Sequence, residues 1–186
     1  MIARAFARAT AIAFALAACG GGSGGGVLSP PPGASVASIT VTSSSIPSNG
    51  AVPVEHTCDG KDLTPALTWS SPPPGTQALV IVVDDPDAGD GTFTHFVAFD
   101  LPPELLSVKE GWTPSGVGGK AGRNDFESVD YRGPCPPHGE QHMFSFRVYA
   151  LDKPTNLHEG ASRSEVSARM TSHVLGAGAL RGSFGH

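Results

Sequence analysis

The chain has 186 residues, among them 24 glycines and 17 prolines, and a formal charge of −5. That length suits one domain with a real hydrophobic core, and the glycine and proline content favours short strands joined by irregular loops over a helical bundle. The acidic balance argues against nucleic acid as a partner, because a surface that tracks phosphates is basic.

The N-terminus reads as a targeting segment. Arg4 and Arg8 precede an apolar run over residues 9–18, broken only by Thr10 and ending in Leu16-Ala17-Ala18-Cys19. A basic start, a short apolar centre and small residues before a cut site describe an export signal over residues 1–18, too short in its centre to span a bilayer as a helix. Leu-Ala-Ala-Cys resembles a bacterial lipobox, whose cysteine is diacylated after cleavage, so Cys19 is the expected lipidation site. The alternative is ordinary cleavage nearby with Cys19 incidental. Residues 19–35 follow as the lipidated cysteine and a Gly/Pro-rich tether, and residues 36–186 as the folded domain. Removing Arg4 and Arg8 leaves ten basic residues against seventeen acidic, about −7. The expected location is the bacterial cell envelope, lipid-anchored and facing the periplasm or the cell surface. Residue 20 is glycine rather than aspartate, which leaves the choice of membrane open.

Residues 35–45 alternate around Val36, Ile39 and Val41 and predict a first strand. Asn49-Gly50 predicts a turn, residues 52–56 a short strand, and Leu67-Thr68-Trp69 another. His56 has no evident partner and reads as a surface or strand-end residue. The run Leu79-Val80-Ile81-Val82-Val83 is unbroken, apolar and rich in β-branched residues, which predicts a strand buried on both faces. It stops at Asp84-Asp85-Pro86-Asp87, where proline removes a ladder donor. After a glycine-rich excursion, residues 95–101 predict a second strand that opens on His95. Carboxylates closing one core strand and a histidine opening the next face the same end of a sheet, and the site is expected there.

Residues 102–130 read as loop, with Trp112 as a packing plug. Residues 144–151 alternate cleanly and place Phe144, Phe146 and Val148 on one face, with His142 just ahead. Ser162-Arg163-Ser164-Glu165 fits a capping box, and Val166, Met170 and Val174 recur at helical spacing. His173 then reads as a helix-surface residue, Gly176 and Gly178 as the helix end, and residues 179–184 as a closing strand. Cys58 and Cys135 are the two cysteines outside the signal and lipobox, and an even pair in an oxidising compartment favours a disulfide over two buried thiols.

Asp85-Pro86-Asp87-Ala88, His95-Phe96-Val97 and Tyr131-Arg132-Gly133-Pro134-Cys135-Pro136-Pro137 through His142, with Cys58-Asp59-Gly60 upstream, form an ordered set of blocks. The set resembles the signature of the phosphatidylethanolamine-binding protein family, in its bacterial branch often labelled Raf-kinase-inhibitor-like. The resemblance covers roughly residues 39–184. It implies a mostly β fold, a Greek-key antiparallel sandwich of two sheets with one or two peripheral helices, and a small anion pocket at one end. Carried over position by position, the ligand-binding residues are Asp85, Asp87, His95, Gly133, Cys135 and His142, with Pro136 and Pro137 shaping the wall. Relatives commonly have proline where this chain has Gly89, which loosens the rim. They commonly have tyrosine where it has Phe144, which removes a hydroxyl donor worth about 1.5–3 kcal/mol towards a charged partner.

In this pocket His95 and His142 are expected to donate to an oxyanion, best as imidazolium, with backbone N–H groups near Gly133 and Cys135 adding fixed donors. Asp85 and Asp87 would orient the histidines or meet the amine of an ethanolamine head group. The expected function is a non-enzymatic lipoprotein that binds a small anionic or phosphorylated ligand, with no cofactor and no metal. The alternative is an inhibitor or regulator of an envelope protease acting through exposed loops such as residues 104–122. No G-x-S-x-G elbow occurs, and His158-Glu159 fails as H-E-x-x-H because residue 162 is serine.

Overall fold

The computed structural model describes residues 35–89 and 91–186. The signal, the lipobox with Cys19 and almost all of the tether lie outside the described residues.

The fold is built on β5 (Ala78–Asp85), whose eight residues are all buried. Its alternation divides the core in two. Leu79, Ile81 and Val83 point into one cluster with Phe96, Phe144, Phe146 and Val148, while Val80 and Val82 point into a second with Phe99, Val166 and Met170. A strand sandwiched in this way has no polar face, hence the unbroken apolar run. β5 pairs antiparallel with β6 (Phe93–Leu101) on one side and β9 (Gln141–Leu151) on the other. β10 (Val174–Gly185) extends the sheet beyond β9, and β8 (Lys120–Ala121) closes the β6 edge.

A smaller sheet of β2 (Val41–Thr42), β4 (Leu67–Trp69) and β7 (Ser107–Val108) supplies Val41, Leu67, Trp69 and Val108 to the first cluster. The helix α1 (Arg163–Met170) covers the second cluster from the opposite face with Val166 and Met170. The expected two-sheet, mostly β architecture with a peripheral helix is therefore present. Among the described residues no helix is long and apolar enough to cross a membrane.

Several elements differ from the sequence reading. The expected first strand is two short ones in different sheets, because β1 (Ala37–Ser38) runs parallel to β10 and the chain then crosses over to β2. β3 (Gly50–Ala51) also joins β10 in parallel, so the large sheet is not wholly antiparallel. Residues expected as a strand after it form a short 3-10 turn, Val54–His56, behind Pro53. Gly176 and Gly178 do not end the helix. They sit inside β10, where a Cβ on Gly178 would lie 1.7 Å from the Ile39 carbonyl oxygen, so glycine is what lets the N-terminal segment cross. The capping box forms as expected: Ser162 Oγ accepts from the Glu165 N–H, and Glu165 accepts from the Ser162 N–H at 2.8 Å. Trp112 is the expected plug, edge-on to Phe96 at 5.5 Å. His56 is not a surface residue. It is fully buried, with Nδ1 2.9 Å from the Leu63 carbonyl and Nε2 3.1 Å from the Ser45 hydroxyl.

Candidate functional site

Because β5 runs against both β6 and β9, its end meets their beginnings. A cavity of about 330 Å³ opens at that junction, with Asp85, His95 and His142 in its wall beside Phe93, Phe126 and Glu140. Cys135 and Pro137 line it from the loop ahead of β9, and Gly89 stands on the rim, where a Cβ would meet nothing within 4 Å.

His95 owes its position to a bulge. Val83 pairs with Phe96 and Asp84 with Thr94, so His95 is the extra residue on β6, and a bulge re-aims its side chain. The freed carbonyl of His95 accepts from Asn124 Nδ2 at 3.0 Å and from the Arg132 N–H at 3.3 Å. Nδ1 of the ring donates to the Arg132 and Gly133 carbonyls at 3.0 and 2.9 Å. Phe93, Phe126 and Phe144 meet the ring edge-on, with centroids 5.3–5.4 Å away. Burial disfavours the charged form and holds this histidine below its ordinary pKa, against a smaller upward pull from the two carbonyls. The neutral Nδ1–H tautomer leaves Nε2 as a bare lone pair.

His142, at the start of β9, has the opposite surroundings. Nδ1 donates to Asp85 Oδ2 at 2.7 Å and Nε2 to Glu140 Oε2 at 3.0 Å. Carboxylates at both nitrogens make both of them donors, which is the imidazolium form. The hydrogen bond to Asp85 raises this pKa first, and Glu140 adds to it against the cost of burial. Phe144, fully buried, packs against both histidine rings, edge-on to His95 at 5.3 Å and near-parallel to His142 at 6.3 Å.

The remaining expected residues serve the site from outside the cavity wall. Asp87 is exposed, and its carboxylate accepts from the Met143 N–H at 2.8 Å, while its own N–H donates to Asp85 Oδ1 at 2.9 Å. Gly133 offers no donor to a ligand, since its N–H is spent on Asp62 Oδ1 at 2.8 Å. Its contribution is the carbonyl under His95, and a Cβ there would lie 2.1 Å from the His56 carbonyl oxygen. Pro136 is buried, with its carbonyl accepting from His186 Nε2 at 2.8 Å, and it is Pro137 that reaches the cavity. Cys58 and Cys135 are joined in a disulfide with their Cα atoms 5.5 Å apart, which ties the Asp59-Gly60 turn to the site's loop.

Four contributors went unread in the sequence, one of them Phe126 in the cavity wall. Glu140 stands two residues before His142, and Phe93 two before His95, so the period of a strand was the available signal for both. Asn124 gave no such signal. It is buried and makes four hydrogen bonds, to the carbonyls of His95 and Asp130 and from the N–H groups of Phe126 and Ser128. Behind the site, Asp84 is buried and accepts from the Thr94 hydroxyl at 3.0 Å, and burial raises its pKa against Arg163.

Residues 42–185 match the family model described as phosphatidylethanolamine-binding protein. The chain belongs to this family. It is similar to a UPF0098 protein of Pyrococcus horikoshii, 43% identical over 148 residues, which are 76% of this chain and 74% of the relative. A Mycobacterium tuberculosis protein named as a lipoprotein, LppC, is 33% identical over 154 residues, 82% of this chain and 75% of the relative. In three dimensions, the crystal structure of a phosphatidylethanolamine-binding protein homologue from Chlamydia trachomatis superposes with a TM-score of 0.73 at 27% identity, covering 82% of this chain and 99% of that one. The Escherichia coli protein YbcL, described as a member of the mammalian family, gives 0.74 at 25% identity, covering 80% and 98%.

Proposed function

We propose that this protein is a non-enzymatic envelope lipoprotein whose domain binds a small anionic ligand with a phosphate-type head group in the cavity between His95 and His142. The observation that carries the reading is at His142. Its outer nitrogen already holds a negative oxygen, the Glu140 carboxylate at 3.0 Å, on a side chain that is 57% exposed. An imidazolium fixed from behind by a buried Asp85 and paired in front with a solvent-exposed carboxylate is a preformed anion position that a ligand oxygen can take over. Phe93 and Phe126 add an apolar rim, as ligand sites commonly have. The lipobox at Cys19 and the lipoprotein-named relative support a tether at the membrane.

Titration calorimetry with inorganic phosphate, phosphorylethanolamine and acetate tests the binding, which should weaken as pH rises through the raised pKa of His142 and the ring loses its charge. Mass spectrometry of the N-terminal peptide tests the diacylated Cys19. A second reading, regulation of an envelope protease through the loop of residues 104–122, is favoured by Leu106, which is 45% exposed beside β7. Absence of heat with every anion, together with inhibition of an envelope protease, selects that reading.

A further inference from the structure

We propose that the pocket selects oxyanions that still carry a proton, such as the monoanion of a phosphate monoester or a phosphonate, over fully ionised oxyanions of the same shape. The inference rests on the reading of the cavity as an anion site and names the chemical class that site accepts.

The groups facing the cavity from each element are unequal in number of donors and acceptors. β9 brings one donor, the Nε2–H of His142, and β5 brings Asp85, which only accepts. The loop ahead of β9 brings Glu140, which also only accepts, and β6 brings His95. The tautomer of His95 is settled by its neighbours. Both oxygens beside Nδ1 belong to main-chain carbonyls, which can only accept, so Nδ1 carries the proton. Three aromatic edges fix the plane of the ring. Nε2 therefore presents a lone pair, makes no hydrogen bond among the described residues, and is not among the polar atoms sealed away from solvent.

An anion entering this cavity takes the His142 donor with one oxygen. Any oxygen that approaches His95 meets a lone pair. A bare oxygen there is repelled, while a P–OH donates to Nε2 and completes it. A site built to accept a hydrogen bond rejects the analogue that cannot donate one more strongly than an apolar pocket rejects a misfit, because a buried polar atom is left unpaired. Hydrogen phosphate, its monoesters and phosphonate monoanions fit. Sulfate and sulfonates, which hold no proton near neutral pH, do not.

The decisive pair of probes is methylphosphonate and methanesulfonate. At about pH 6 each is a tetrahedral monoanion with one methyl and three oxygens, and only the phosphonate keeps an O–H, as phosphate groups do near that pH. Calorimetry on the purified protein should give methylphosphonate an affinity at least about ten-fold higher, the scale of one hydrogen bond to a charged or buried partner. In His95→Gln, whose amide nitrogen can donate near the Nε2 position, the preference should shrink to about three-fold or less, well under one such bond. Equal or tighter binding of methanesulfonate by the wild-type protein overturns the proposal and leaves the anion site standing. Full selectivity retained in a folded His95→Gln protein overturns the assignment to His95. Binding of neither probe overturns the anion reading itself, and this proposal with it.

Discussion

Replacing Glu140 by glutamine isolates the self-occupied anion position. The substitution keeps shape and removes one negative charge from the oxygen that lies 3.0 Å from His142 Nε2. Because Glu140 is 57% exposed, the pair itself contributes only about 0–1 kcal/mol, the range for exposed ion pairs. The same carboxylate also repels an incoming anion. Two unit charges about 4 Å apart repel by about 1 kcal/mol in water and about 4 kcal/mol at an effective dielectric constant near 20, and a side chain free to swing outwards stays near the lower figure. Together these contributions amount to about 1–2 kcal/mol, or about 5–30-fold tighter binding of inorganic phosphate. Calorimetry on wild type and Glu140→Gln measures the ratio, and a thermal melt checks that stability changes by no more than about 1 kcal/mol. Unchanged or weaker phosphate binding in the variant refutes the argument, since Glu140 would then be helping the ligand or standing clear of it.

Proton titration should separate the two site histidines. Imidazole resonances should place His142 above and His95 below the ordinary value, and the opposite order refutes a charged His142 beside a neutral His95. In stability the signs differ accordingly. The His142 contribution is complete below about pH 6.5 and is lost as pH rises through its raised folded value, whereas burying His95 neutral costs stability as pH falls below about 6.5 towards its lowered one. Denaturant titrations on His142→Asn should therefore lose the alkaline part of the dependence. Replacing Cys58 and Cys135 by serine should cost about 2–5 kcal/mol, the usual range for a natural disulfide, and loosen the Arg132 and Gly133 carbonyls that hold His95. An unaltered denaturation midpoint contradicts this. Gly133→Ala forces a Cβ to within 2.1 Å of one backbone oxygen and 2.7 Å of the Thr57 Cα, neither of which can move cheaply. Overpacking of this kind costs about 1–3 kcal/mol, and a variant as stable as wild type refutes the contact.

How much of this was legible depends on how far the relevant interaction lies along the chain. The two-faced burial of β5 was plain because it sets every residue from Leu79 to Val83, and the capping box was plain because its four residues are contiguous. The meeting of Asp85 and His95 was legible from the ends of two successive core strands, whereas His142 joined them only through the resemblance of the sequence blocks. The bulge at His95 was not legible, since no local glycine or turn marks it and it is supported by Asn124 and Arg132, 29 and 37 residues away. Gly176 and Gly178 looked like a helix end because glycine serves that role so often. In this fold they are small because residues far off in sequence pass over them, Pro73 closest to Gly176 and Ile39 to Gly178. Asp87 and Gly133 belong to the same blocks as the cavity residues, and composition cannot say whether a carboxylate faces a ligand or caps a neighbouring amide. Distance decides, and it gives Asp87 to Met143.

The histidines of this chain supply their own contrast between structural and binding roles. His56 is what a structural histidine looks like: no exposed surface, and both nitrogens bonded to groups fixed in the fold. His95 is nearly as buried, yet only one of its nitrogens is used. His142 uses both, but the outer one is engaged only by an exposed side chain from the adjoining loop. Leaving an imidazole nitrogen without a protein partner in a ring that is otherwise buried has a cost, and so has holding an imidazolium in a wall with little solvent. Both rings pack against Phe144 and line one cavity, and the ligand proposed above would relieve both costs by accepting from His142 and donating to His95. Packing alone gives no reason for either.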